Sequence, residues 1–163
     1  MDKIIYNPIG IIHTPYETTM GMPIQPSAAP GVKGSIEVFP EFAPGLKDLG
    51  GFSHIILLYH FHMSHDYRLE VNPFLDDETR GLFATRAPNR PNQIGLSVVK
   101  LVSVKDNIIQ IENIDILDGT PLLDIKPYIP DFDEITDLRT GWFSSIKHKL
   151  STTKNDGRFG VHD

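Results

Sequence analysis

Thirteen glycines and thirteen prolines punctuate the 163 residues, so few stretches can run as a long helix or strand. Proline removes a backbone donor and glycine loosens the chain, and the spans between them read as short strands joined by many turns. Lys3 to Thr14 reads as a strand interrupted near Asn7-Pro8, and Gly34 to Phe39 as an alternating strand. Phe52 to His62 is the most strongly patterned strand, and Leu82 to Arg86 reads as a short one. Gly95 to Val104 and Ile108 to Leu117 read as a hairpin turning at Asp106-Asn107. Asp118-Gly119 then turns the chain into Leu122 to Ile125. Glu41 to Leu49 is the one short helix expected, stopped by Gly50-Gly51, and Asp131 to Arg139 reads as loop with a helical turn. Short strands at this spacing predict a mainly β fold, a barrel or a sandwich.

The length suits one domain with its own core, expected over residues 1–145, followed by a polar and mobile tail over 146–163. The chain has no cysteine, which removes disulfides and thiolate chemistry and fits a cytoplasmic protein. Its start, Met1-Asp2-Lys3-Ile4-Ile5-Tyr6, lacks the pattern of a signal peptide. The longest aliphatic-aromatic run, Ile55 to Tyr59, is far too short to span a bilayer, so no membrane partner is expected. A formal net charge of −6 argues against gripping nucleic acid over the whole surface, while leaving room for a local basic patch.

Four stretches hold residues suited to chemistry. Between Phe83 and Gly95 lie Arg86 and Arg90, stiffening prolines, and a glycine that permits close approach. Arginine forks suit carboxylate or phosphate, although a rigid loop with solvated arginines explains the same composition. His54, His60 and His62 would share one face of a regular strand, with His65 nearby. That face suggests a metal chelate, but no third ligand closes the set, and packed histidines are the plainer reading; no metal is expected. Asp118 and Thr120, in the turn that leads to Asp124, Lys126 and Tyr128, suit a ribose or amino group, or serve turn geometry only. The loop from Thr18 to Gly34 is long enough to suggest a functional role. A G-x-G-x-x-G turn, a P-loop and a G-x-S-x-G elbow are all missing.

Several strings together carry a resemblance. They are Ile9-Gly10-Ile11-Ile12-His13-Thr14-Pro15-Tyr16, Gly51-Phe52-Ser53-His54, Ala84-Thr85-Arg86 with Arg90-Pro91-Asn92-Gln93-Ile94-Gly95, and Asp118-Gly119-Thr120-Pro121 with Asp124-Ile125-Lys126-Pro127-Tyr128. In these the chain resembles the TrmO family, also called YaeB or TsaA-like, over nearly all of residues 4–143. The family comprises tRNA methyltransferases acting on N6-threonylcarbamoyladenosine. The resemblance implies a single-sheeted antiparallel β-barrel with short helices and long loops, which binds S-adenosylmethionine outside the Rossmann class and works as a homodimer. It implies cofactor contacts at Gln25, Pro26 and Ser27, where Ser27 departs from the glycine often found. Further contacts fall at His62 and Met63, at Arg86, at Leu96 through its backbone, and at Asp118, Gly119, Thr120 and Pro121.

The implied reaction needs a base for the amide-like N6 proton, and His62 and Asp124 are the catalytic candidates. The threonyl carboxylate needs a cation, for which Arg90, Lys126 and Arg86 are candidates. An unpaired base of the tRNA anticodon loop would stack on Tyr128, Phe83 or Trp142. The matched strings stop near Trp142-Phe143, short of the extra C-terminal region of larger members. Three readings therefore stand beside tRNA methylation: another acceptor on the same barrel, a non-enzymatic cofactor-binding module, or a histidine-based metalloenzyme.

Overall fold

The punctuated strands close on themselves. In a computed structural model, which describes residues 3–146, 153–156 and 159, there are eight strands. These are β1 (Gly10–His13), β2 (Lys33–Val38), β3 (His54–His60), β4 (Glu70–Val71), β5 (Arg80–Gly81), β6 (Ile94–Lys105), β7 (Ile108–Glu112) and β8 (Thr120–Pro127). Six form a closed barrel in the order β1-β2-β7-β6-β3-β8, with every neighbouring pair antiparallel and β8 returning to β1. Closure removes the open edges that six short strands would otherwise expose. β4 and β5 form a separate two-stranded ladder. The only α-helix among the described residues is α1 (Pro130–Asp133), within the acidic stretch expected to hold a helical turn. No described helix is long and apolar enough to cross a membrane.

Period-2 alternation fills the interior. On β3, Ile55, Leu57 and Tyr59 point inward, and on β6 Gly95, Ser97, Val99 and Leu101 do the same. Ile12, Ile36, Ile109, Ile111 and Leu122 complete an apolar centre. At one end the inward positions change character, because Tyr59 and Ser97 place hydroxyls where deeper layers hold only hydrocarbon. Gly95 makes this possible: a Cβ there would overlap the Tyr59 ring.

Several expected elements are shorter or different. From Lys3 to Thr14 only Gly10–His13 pairs, and Ile4, Ile5 and Tyr6 are exposed. Leu82 to Arg86 is not a strand. Leu82–Ala84 is a 3₁₀ turn, held by the Thr85 N–H and hydroxyl, which both donate to the Leu82 carbonyl. The strand expected over Ile108 to Leu117 leaves the ladder after Glu112, where Asn113 takes a left-handed φ of 64°. The stretch expected as a helix from Glu41 is 3₁₀ over Pro40–Leu46, with Pro44 inside it. The hairpin at Asp106-Asn107 forms as expected, with Asp106 at φ 55°. Where the 146–163 segment is described it lies against the loop after β1 and against Phe74, and the rest of the stretch expected to be a mobile tail lies outside the described residues. Lys154 bridges Pro23, Asn155 exchanges two backbone hydrogen bonds with Gly21 and Met22, and Phe159 packs edge-on to Phe74 at 4.9 Å.

Candidate active site

The polar end of the barrel opens into a cavity of about 380 Å³, within the range of small-molecule sites. Several sequence-distant pieces of chain wall it. The long loop expected to be functional supplies Met22, Ile24 and Gln25, and the turn after β3 supplies Phe61, His62 and Met63. The arginine-bearing turn supplies Arg86 and Arg90, β6 supplies Leu96, and the segments flanking β8's start supply Asp115 and Thr120. A second cavity, of about 600 Å³, adjoins it and shares Ile24, Gln25, Phe74, Thr85, Arg86 and Phe159. Its walls are aromatic, with Phe74, Phe83, Trp142 and Phe143.

Hydrogen bonds hold both arginines in place. Arg86 donates from Nη1 to the Gln25 side-chain carbonyl at 3.2 Å. Arg90 donates from Nη1 to the carbonyls of Thr85 and Ala87 at 3.1 and 3.2 Å, and lies 5.8 Å from the centre of the Phe83 ring. Fixing one nitrogen of the fork this way leaves its other donors for a ligand. Trp142 donates from its indole N–H to the Ala84 carbonyl at 2.9 Å, with Arg80 over its ring at 5.4 Å. Asp76 and Glu78 in turn hold Arg80, at 2.7 and 2.8 Å.

His62 has a defined tautomer. The Thr120 hydroxyl donates its single proton to the Leu117 carbonyl at 2.8 Å. Its 3.3 Å contact with His62 Nδ1 therefore requires Nδ1–H to donate, which leaves the lone pair on Nε2. Burial, helped by the neighbouring His60, pulls the His62 pKa below the ordinary histidine value, which favours the neutral ring.

A second polar group in the cavity wall is one that sequence reasoning passed over. The Ser97 hydroxyl donates to Asp115 Oδ1 at 2.8 Å, which leaves the Tyr59 hydroxyl to donate to Ser97 Oγ at 3.1 Å. Burial pushes the Asp115 carboxyl up to about 6. The same burial, with Asp115 close by, raises the Tyr59 phenol. The Ile114-Asp115-Ile116 alternation looks like ordinary strand, so nothing in the local sequence marks the aspartate.

The other expected site residues are distributed as follows. Ser27 lines the second cavity, and Pro26 lines neither. Asp118 accepts from the Thr14 N–H at 3.0 Å and lies 3.6 Å from His13 Nδ1, so it ties the turn to β1. Gly119 supplies the turn's positive φ of 73°, and Pro121 pairs with Ile11 in the ladder. Asp124 and Lys126 pair with each other at 2.7 Å outside both cavities, and Tyr128 lies beyond them near His54, away from the cavity end of β3. The expected shared histidine face is formed in part: His54 and His60 lie on the outward face of β3, with His54 bonded to Ser53 at the far end, while His62 lies past the strand's end, close enough to His60 to feel its charge. Among the described residues no group of three or more His, Asp or Glu could hold a metal ion.

The model of the tRNA-methyltransferase O N-terminal domain matches residues 11–134, which takes in every wall of the first cavity except the described C-terminal residues. The chain belongs to the TrmO family. Among its relatives is a Pyrococcus abyssi protein named as a probable S-adenosyl-L-methionine-binding protein. It is 56% identical over 96% of this chain and 85% of its own length. A mouse tRNA (adenine(37)-N6)-methyltransferase is 35% identical over 83% of this chain, but over only 33% of the mouse protein. A crystal structure of TrmO from Pseudomonas aeruginosa superposes with a TM-score of 0.73 at 38% identity, covering 86% of this chain and 63% of that one. The chain thus spans less than two thirds of the solved TrmO structure.

Proposed function

We propose that this TrmO-family barrel binds S-adenosylmethionine in the smaller cavity and methylates N6 of threonylcarbamoyladenosine at position 37, next to the tRNA anticodon. The observation that carries the reading is the pair of adjoining cavities with a shared wall at Gln25, Thr85 and Arg86. One chamber suits the cofactor and the other a flat acceptor, and the shared wall marks where they meet. The names of the Pyrococcus and mouse relatives support the cofactor and the tRNA acceptor.

The smaller cavity's lining fits such a cofactor. Ile24, Phe61 and Leu96 offer apolar surface to an adenosine, and Arg86 offers a fork to a carboxylate. When bound, S-adenosylmethionine supplies an activated methyl group on a sulfonium, so the protein need only align and deprotonate the acceptor. His62 Nε2 is suited to take the N6 proton, since His62 lines the cavity with its neutral form favoured and Asp124 does not line it. Arg90 is suited to the threonyl carboxylate through its uncommitted donors, and Phe83, 75% exposed, gives the base a face for stacking. Exposed Ile4, Ile5 and Tyr6, with Phe132, Ile135 and Leu138, support a homodimer, because scattered surface residues rarely run to two such apolar stretches. A tRNA acceptor makes the cytoplasm the working compartment.

The test is incubation with labelled S-adenosylmethionine and total tRNA, followed by size fractionation of the enzyme and nucleoside analysis of the RNA. The expected result is label in threonylcarbamoyladenosine and none in tRNA lacking that group, with activity eluting at twice the 18.3 kDa chain mass. Label in unmodified adenosine would refute the acceptor. Label in a small metabolite pool alone would favour a non-tRNA substrate.

A further inference from the structure

We propose that Asp115 and Arg86 together form the subsite for the α-amino-acid end of the cofactor, with Arg86 taking the carboxylate and Asp115 the ammonium group. The inference rests on the cofactor reading above and adds to it a residue that no sequence motif contains.

Asp115 is held from both sides by its neighbours in the chain, since Ile114 and Ile116 are buried in the core and leave the aspartate between them at the cavity wall. Its carboxylate accepts from the Ser97 hydroxyl, itself backed by Tyr59, and from its own backbone N–H. A carboxylate sheltered from water with only one hydroxyl and its own backbone N–H as neutral donors is under-solvated, and a cationic donor satisfies it best. Arg86 lines the same cavity and acts electrostatically on both Asp115 and Tyr59. Yet no ion pair joins Arg86 to Asp115 among the described residues, because the guanidinium is drawn to Gln25. Opposite charges facing one chamber without closing on each other match a ligand that carries both charges on one carbon. An α-amino acid is such a group. Two-point recognition of it also fixes the direction in which the rest of the ligand extends, which a lone arginine would not.

The test is calorimetric titration of the full chain and its Asp115→Asn variant with three ligands. S-adenosylmethionine carries ammonium, carboxylate and sulfonium, S-adenosylhomocysteine lacks the S-methyl group and with it the sulfonium charge, and 5′-methylthioadenosine lacks the whole amino-acid end. Asparagine keeps the shape and can still accept from Ser97. The expected result is a loss on the order of 10- to 100-fold for the first two ligands alike, with less than about 2-fold for the third. A loss confined to S-adenosylmethionine would put the carboxylate against the sulfonium and overturn the proposal. Unchanged affinities with slower methyl transfer would also overturn it, by assigning Asp115 to the acceptor. Should the variant fail to fold, wild-type protein titrated with S-adenosylhomocysteine lacking its α-amino group answers the same question: equal affinity with and without the amine refutes the subsite. Absence of any S-adenosylmethionine binding by wild-type protein is a separate outcome that refutes the cofactor reading itself.

Discussion

Holding a carboxylate at the mouth of an apolar barrel costs stability whenever it is charged. The Asp115 carboxyl lies at about 6, against 3.8 for an ordinary aspartate, with burial as the main cause. Below 3.8 the group is protonated in both folded and unfolded chains and the raised value has no cost. As pH rises toward 6 the unfolded chain ionises first, and above 6 the folded chain bears the full penalty. Replacing Asp115 with Asn should therefore leave the melting temperature near wild type at pH 3.5. Above pH 6 it should raise stability by up to about 3 kcal/mol, a shift of several degrees. Thermal melts across that range check this, and a shift of equal size at every pH would show that ionisation is not the cause. Under the proposed subsite, that cost keeps a charge ready for the cofactor's ammonium group. His62 is the complementary case, since burial favours its uncharged form and its bond to Thr120 leaves Nε2 as the basic atom.

The strands carry these residues by close fit. Gly95 on β6 lies opposite Tyr59 on β3, and the Tyr59 ring occupies the space a side chain would need. Gly95→Ala should push the ring aside, break the Tyr59–Ser97–Asp115 chain, and cost about 1–3 kcal/mol. Melting together with S-adenosylmethionine titration checks this, and an alanine variant with unchanged stability and affinity would contradict the packing argument. The glycine was legible as a point of close approach, but the partner was not: sequence suggested a ligand, and the neighbour is an aromatic ring. β3 and the β6–β7 hairpin were legible because alternation and a turn at Asp106-Asn107 are local signals. Leu82 to Arg86 misled because its apolar residues suit a strand, while the Thr85 hydroxyl closes a turn. Asp115 was hidden because Ile-Asp-Ile alternation continues past Asn113, where the ladder has already ended. The family strings contain Arg86 and Thr120, and both line the cavity, but nothing local could bring Met22, Leu96 and Asp115 to one wall, which only barrel closure does.

In the whole molecule, both cavities lie at one end of the barrel. The apolar centre closes beneath Tyr59 and Ser97, and the loops above it divide the space into two chambers that meet at Arg86. The net charge of −6 fits recognition of one base in a pocket better than broad electrostatic capture of a tRNA. Asp124, Lys126 and Tyr128 lie toward the opposite end of β8, so the two ends of that strand offer rival locations for the ligand. A crystal structure of the chain with S-adenosylhomocysteine decides between them most directly. The account predicts the ligand in the cavity between Arg86 and Thr120, with its carboxylate on Arg86 and its ammonium group on Asp115. Ligand bound instead beside Lys126 and Tyr128 would contradict it.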